Sequence, residues 1–273
     1  MSNFLNEIIE LKKRRLEIAK SKISLEELKG KAFEVREKAK PHRLQKALAE
    51  KNKINIIAEI KRASPSKGVI NDKIDVAETA QKYERGGASA ISVLTEEDKF
   101  QGSLEDLKTV RANVSLPILR KDFVFDEFQV YEAAEAGADV ILLIAAMLDD
   151  KVLAKLYRLA EQVLDLDVLL EVHTFEELER AKKIGAKIIG VNNRDLQTFK
   201  VSLDVSRELI KHAAKDSLLI SESGLQTRED LLELKELGFN GFLIGETLMR
   251  SENVEKELRE LATNYTNSTN KKL

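Results

Sequence analysis

The sequence predicts one (β/α)8 (TIM) barrel carrying an N-terminal helical extension, and three observations predict it. From residue 54 onward, eight short β-branched apolar runs alternate with amphipathic helical stretches, the pattern of repeated βα units. Four of the helical stretches end in glycine with an apolar run almost immediately behind: Gly86-Gly87-Ala88, Gly137-Ala138, Gly185-Ala186 and Gly238-Phe239. These copies recur about every 50 residues, two βα units per repeat. The length, 273 residues, is long for one ordinary domain but normal for one α/β barrel.

The elements follow in order. Residues 1–53 read as helical: Leu5, Ile8, Ile9 and Leu16 fall near helical spacing, and Ser24-Leu25-Glu26-Glu27 is written as a capping box that opens a second helix. A third helix precedes Lys51-Asn52-Lys53. These helices are expected to pack on the barrel, so that 1–273 is a single domain with 1–53 as its extension. The eight runs are Ile54–Ile60, Ala90–Leu94, Pro117–Leu119, Asp139–Ile144, Asp167–Val172, Lys187–Val191, Leu218–Ser221 and Gly241–Ile244. Glycine at the helix ends suits a left-handed C-terminal cap. Eight evenly spaced runs fit a closed barrel better than a doubly wound open sheet. No G-x-G-x-x-G follows the first run, which removes the main support for a dinucleotide fold. Residues 264–273 form a polar tail expected to fray. Its Asn264-Tyr265-Thr266 and Asn267-Ser268-Thr269 match the glycosylation pattern, but with no secretory signal they read as chance.

Composition narrows the chemistry. Hydrophobic residues at 43% and charged residues at 34% are those of a soluble globular protein. A net charge of -2 and a pI near 6.1 argue against nucleic acid as a partner, which needs a basic face. The absence of cysteine excludes disulfides and thiolate metal sites. Three histidines (His42, His173 and His212), none paired at ligand spacing, argue against any metal. No stretch approaches the roughly 20 apolar residues of a membrane span. The N-terminal apolar run is too short for a signal peptide, and its charges follow it. The expected location is the cytoplasm.

In this fold the site lies at the C-terminal strand ends, and strand residues alternate faces with period two. Run one ends Glu59-Ile60-Lys61-Arg62; Glu59 and Lys61 share the face of Ile57 and should point into the barrel mouth. A buried ion pair is weak evidence for stability, so this pair favours function. The loop that follows, with Ser64 and Ser66, is small, polar and basic, as suits an anion. Run three brings Lys121 inward beside Arg120; a partly desolvated lysine next to a cation is expected to have a lowered pKa and to serve as a general acid. Run five brings Glu171 inward. His173 precedes Thr174-Phe175-Glu176-Glu177, a second capping box, and reads as the start of a helix and not as a catalytic group. Run six ends Asn192-Asn193-Arg194, an amide and a guanidinium on one face that would receive a carboxylate. Runs seven and eight end in Ser223-Gly224 and Gly245-Glu246; glycines there let backbone N–H groups approach a phosphate. The Glu246 carboxylate repels an anion, so its N–H is expected to bind while its side chain turns away.

These pieces resemble one family. Glu59-Ile60-Lys61-Arg62-Ala63-Ser64-Pro65-Ser66 is similar to the E-x-K-x-x-S-P-S motif of indole-3-glycerol phosphate synthase, and Leu119-Arg120-Lys121-Asp122-Phe123 to its L-R-K-D-F. Leu170-Glu171-Val172-His173, Gly190-Val191-Asn192-Asn193-Arg194-Asp195-Leu196, Ser221-Glu222-Ser223-Gly224 and Phe242-Leu243-Ile244-Gly245 follow in the family's order. The likeness covers nearly the whole chain and includes the helical extension. It departs at Glu246, where many relatives carry serine.

The resemblance implies a carboxy-lyase of tryptophan biosynthesis that needs no cofactor. Its substrate, 1-(2-carboxyphenylamino)-1-deoxyribulose 5-phosphate, carries a phosphate and an aromatic carboxylate. Lys121 is then the general acid, and Glu171, Glu59 and Lys61 are the other catalytic candidates, with the base between Glu59 and Glu171 left open. Ser64, Asn192 and Arg194 are implied at the anthranilate end, Phe123 and Leu142 against its ring, and Ser223 near the sugar hydroxyls. Gly224, Gly245, Glu246 and Lys61 are implied at the phosphate. A monomer is expected, with other enzymes of tryptophan biosynthesis as candidate partners. The rival expectations are another phosphate-binding barrel enzyme, such as phosphoribosylanthranilate isomerase, and a non-catalytic barrel that binds a phosphorylated metabolite.

Overall fold

Each of the eight apolar runs forms a strand in the computed structural model, which describes residues 3–50 and 52–262. The strands are β1 (Ile56–Ile60), β2 (Ala90–Leu94), β3 (Ile118–Lys121), β4 (Val140–Ile144), β5 (Asp167–Val172), β6 (Ile188–Asn192), β7 (Leu218–Glu222) and β8 (Gly241–Ile244). Each pairs in parallel with its sequence neighbours, and β8 pairs with β1, so the sheet closes into a barrel. Nearly every strand residue is buried, because the barrel interior covers one face and helices cover the other. The predicted polar tail and its two glycosylation-like triplets lie outside the described residues.

The glycine repeat has the expected basis. Gly87, Gly137, Gly185 and Gly238 all take positive φ, between 75° and 119°, where each helix turns back into its strand. Three strands run further than their apolar pattern indicated. β3 continues to Lys121, β6 to Asn192 and β7 to Glu222, because polar residues at these ends bury against one another and not in solvent.

The N-terminal helices are α1 (Asn3–Lys22), α2 (Leu25–Lys38) and α3 (Arg43–Leu48). They reach both ends of the barrel. α3 covers the N-terminal end: Leu44 and Leu48 are fully buried, and the Asp167 carboxylate at the foot of β5 accepts from the Leu44 and Gln45 N–H groups at 2.7 and 3.2 Å. α2 packs along α6 (Glu127–Glu135), and Arg36 donates to the Leu164 and Asp165 carbonyls at 2.7 and 2.8 Å. α1 runs to the opposite end. Its buried Lys12 sits 2.9 Å from the Asp122 carboxylate, and Phe4 meets the rings of Phe123 and Phe199 edge-on. The two predicted capping boxes form only in half. Ser24 and Thr174 accept from the N–H three residues on, but Glu27 pairs with Lys31 and Glu177 accepts from the His173 N–H. Among the described residues, no helix is long and apolar enough to cross a membrane.

Candidate active site

A cleft of about 1200 Å³ opens at the C-terminal ends of the strands. All twelve residues singled out from sequence line it: Glu59, Lys61, Ser64, Lys121, Phe123, Glu171, Asn192, Arg194, Ser223, Gly224, Gly245 and Glu246. The register explains the convergence. Ile144 on β4 is level with Glu171 and Glu171 with Gly190, while Asn192 is level with Glu222 two residues further on, so inward positions of successive strands fall in two adjacent rows.

The centre of the floor is a lysine between two carboxylates. Lys121 Nζ lies 2.5 Å from Glu222 Oε2 and 3.3 Å from Glu171 Oε2, with all three side chains almost wholly buried. Asn192 Nδ2 donates to the other Glu171 oxygen at 3.1 Å. On β1, Lys61 pairs with Glu59 at 2.7 Å. The Glu222 head occupies the space above Gly190, where any Cβ would collide with Oε1. The inward position of β6 below Asn192 therefore requires glycine.

Burial penalises the Lys121 cation, but the Glu222, Glu171 and Glu59 charges outweigh it and hold the ammonium well above its ordinary pKa. The lowered value expected from sequence is thus reversed. The expected neighbour, Arg120, points away from the cleft, to Asp122 at 3.0 Å, Glu132 at 2.7 Å and the Gln129 carbonyl. Period-two alternation sends residues 120 and 121 to opposite faces.

The two carboxylates diverge. Burial raises Glu171, but the Lys121 and His173 charges and the Asn192 hydrogen bond bring it below its ordinary range. Burial pushes Glu222 up to about 7, helped by the Glu171 and Glu59 charges and only partly opposed by Lys121. The two proton affinities are thus pushed apart, Glu171 toward its ionised form and Glu222 toward exchange of a proton near neutrality.

Two groups flank this centre. On one side the backbone turns left-handed at Ser223 and Gly224, with φ of 68° and 82°, and Gly245 precedes the short helix α11 (Glu246–Arg250). A Cβ at Gly245 would lie 2.5 Å from Glu59 Oε1 and 2.9 Å from Lys61 Nζ, so glycine alone fits over that pair. The Glu246 carboxylate turns toward Lys67 and Arg250, at 3.6 and 3.4 Å. On the other side the Arg194 guanidinium donates to Ser66 Oγ and the Phe199 carbonyl, each at 3.3 Å, which ties the loop after β6 to the loop after β1. Phe4, Phe100, Phe123 and Leu142 supply an apolar wall.

Sequence reasoning missed Glu222, although parity with Ile220 marks it as the last inward residue of β7. Attention had gone to the turn behind it. Phe4 carried no sequence signal, because its place depends on how α1 lies across the barrel. His173, read as a helix start, does precede the Thr174 cap, yet its Nε2 also comes within 3.4 Å of Glu171 Oε1.

The fold and this cleft define a (β/α)8-barrel enzyme with a lysine between two buried glutamates at the centre of the cleft floor. The sequence profile of indole-3-glycerol phosphate synthase matches residues 5–261. A protein of that description from Carboxydothermus hydrogenoformans is 46% identical over 264 residues, covering 94% of this chain and 99% of the relative. Another, from Desulfosudis oleivorans, is 43% identical and covers 96% and 100%. The chain belongs to the indole-3-glycerol phosphate synthase family, carboxy-lyases of tryptophan biosynthesis. Among solved structures, thiamine phosphate pyrophosphorylase from Pyrococcus furiosus superposes with a TM-score of 0.58 at 20% identity, covering 77% of this chain and 95% of that one. That likeness concerns the fold alone.

Proposed function

We propose that this cleft closes the pyrrole ring of 1-(2-carboxyphenylamino)-1-deoxyribulose 5-phosphate, releasing carbon dioxide and water to give indole-3-glycerol phosphate. The observation that carries the reading is the buried Lys121 ammonium at 2.5 Å from Glu222 and 3.3 Å from Glu171, two carboxylates whose surroundings push their proton affinities apart.

The Gly224, Gly245 and Glu246 backbone N–H groups, with Lys61, hold the phosphate. Ser64, Asn192 and Arg194 hold the aromatic carboxylate, Phe123 and Leu142 pack on its ring, and Ser223 meets the sugar hydroxyls. Lys121 gives a proton to the C2' carbonyl oxygen as the carboxylate-bearing ring carbon attacks C2'. The cation left on the ring and its nitrogen is itself the electron sink, so the bond to carbon dioxide breaks and aromaticity returns without a cofactor. The flanking carboxylates stabilise that cation electrostatically. Glu171 then takes the proton from C1' and Glu222 protonates the departing hydroxyl. The low proton affinity of Glu171 and the high affinity of Glu222 favour this division over one that uses Glu59, which is committed to Lys61. Two protons are given and one is taken, matching the net uptake needed when a carboxylate leaves as carbon dioxide and an oxygen as water.

The same reading takes the chain as a cytoplasmic monomer, with other enzymes of tryptophan biosynthesis as its partners, and as one barrel unit onto which residues 1–53 fold. Gel filtration at micromolar concentration is expected to give the mass of one chain. Activity is tested by mixing the purified protein with the carboxyphenylamino-deoxyribulose phosphate, without metal or nucleotide, and following indole fluorescence. Product formation is expected; its absence would remove the proposal.

A further inference from the structure

His173 sits where the floor of the cleft meets the start of α8 (Phe175–Ile184), with a carboxylate near each ring nitrogen. Glu177 Oε2, on the first turn of α8, accepts from the His173 backbone N–H at 2.7 Å and lies 3.2 Å from Nδ1. On the other side of the ring, Nε2 is 3.4 Å from Glu171 Oε1, the oxygen that also receives Asn192 Nδ2 at 3.1 Å. Nε2 is buried and makes no hydrogen bond in this structure, although Glu171 Oε1 is near enough for a small ring or carboxylate rotation to form one. A neutral ring that donates through Nδ1 to Glu177 would aim its Nε2 lone pair at a carboxylate oxygen, two acceptors face to face in a buried space. A proton on Nε2 removes that conflict, and the ring then bridges the two carboxylates as an imidazolium.

We propose that His173 is a positioning residue for Glu171: in its protonated form it donates from Nε2 to Glu171 Oε1 and fixes that carboxylate, ionised, beside the substrate. The inference rests on the assignment of Glu171 as the proton acceptor. Every charged group facing the ring bears on its titration. Glu171 comes from the same strand, Glu177 from α8, Glu222 from β7 and Asp195 from the loop after β6, with Lys121 as the opposing cation one carboxylate away. Burial pushes the imidazole down, but the Glu177 hydrogen bond and the Glu171, Glu177 and Glu222 charges outweigh it, so the ring titrates above its ordinary value. The competent form is therefore the low-pH form, and it is lost as pH rises through the His173 pKa. Glu171 then loses a donor and gains a facing lone pair.

His173→Gln keeps an N–H donor that does not titrate, and His173→Ala removes it. In wild type, kcat is expected to fall on the alkaline side. In His173→Gln the part of that limb due to His173 should be lost, leaving the part set by Glu222 and changing the shape of the profile, while KM stays within about twofold, and His173→Ala should lower kcat by about tenfold or more, the scale expected when a base loses its orientation. Profiles of His173→Gln and wild type that superimpose would overturn the proposal. A second measurement does not depend on turnover. The chain holds three histidines, so 15N NMR titration of its imidazoles resolves His173, and Glu171→Gln should lower its pKa. An unchanged pKa would overturn the proposal in a protein that still makes product. Absence of turnover in wild type would instead overturn the function on which it rests.

Discussion

Lys121 Nζ and Glu222 Oε2 stand 2.5 Å apart at the base of the cleft, and the pair is electrically lopsided. The neighbouring carboxylates favour the charged form of the lysine, whereas burial pushes the pKa of its partner up to about 7. Burial is the main cause, and the charge of the second carboxylate, Glu171, adds to it. Two anions share one ammonium in a buried space, and only one of them ionises readily.

That imbalance gives a signed stability prediction for Glu222→Gln. The folded-state pKa of Glu222 is raised from 4.5 to about 7, so between those values the native state keeps a proton that the unfolded chain has lost. Its contribution to stability is therefore fully present below the unfolded pKa and is lost as pH rises toward 7. Removing the ionisation should favour the variant more at pH 8 than at pH 5. Differential scanning calorimetry at both pH values checks this: the Tm difference, variant minus wild type, should be more positive at pH 8. A difference that is equal or larger at pH 5 would contradict it.

Gly190→Ala tests the space that Glu222 occupies. The added methyl collides with Glu222 Oε1 and contacts Leu169 Cδ1 at 3.0 Å, so the carboxylate must leave its position against Lys121. Overpacking of this kind costs about 1–3 kcal/mol. Turnover should fall at least about tenfold, since a displaced proton-transfer group loses a contribution on the scale of 10²–10⁴. Urea denaturation and steady-state kinetics on one preparation separate the two effects. Unchanged kcat in a folded variant would show that the position of Glu222 is immaterial.

Lys12→Met probes how α1 is fastened to the site. Lys12 and Asp122 are both buried at 2.9 Å, and Asp122 is chain neighbour to Lys121. Charge from Lys12 and Arg120, with hydrogen bonds from Thr95 and Lys12, more than offsets the penalty of burial and holds the Asp122 carboxyl below its usual range. Leaving that carboxylate with fewer partners should cost about 3 kcal/mol in urea unfolding, as when a buried pair is broken. Adding Asp122→Asn should recover part of the loss, and a strictly additive double mutant would contradict the pairing.

Much of this arrangement was legible in the chain. The eight strands and their order follow from periodicity, and the glycine repeat marks the left-handed turns at Gly87, Gly137, Gly185 and Gly238. Period-two parity also assigns Glu59, Lys61, Lys121, Glu171 and Asn192 to one face, because a barrel admits only two faces. Relations between strands were not legible. That Arg120 leaves the site follows from period-two parity, but that Lys121 takes Glu222 as its near partner depends on barrel stagger, which no local pattern encodes. The sign of the Lys121 shift followed from that missing partner. His173 shows the same limit: its Thr174–Glu177 cap is a local feature, whereas its approach to Glu171 depends on ring orientation.

The central claim is the division of labour, with Lys121 acting before carbon dioxide is lost and Glu171 after it. The direct measurement follows both products in the same single-turnover reaction, labelled carbon dioxide and indole fluorescence, in wild type, Lys121→Ala and Glu171→Gln. Lys121→Ala should slow both signals together by about 10² or more. Glu171→Gln should release carbon dioxide well ahead of indole, leaving the hydroxylated, undehydrated ring behind. Equal slowing of both signals in Glu171→Gln, or undiminished carbon dioxide release in Lys121→Ala, would contradict the account.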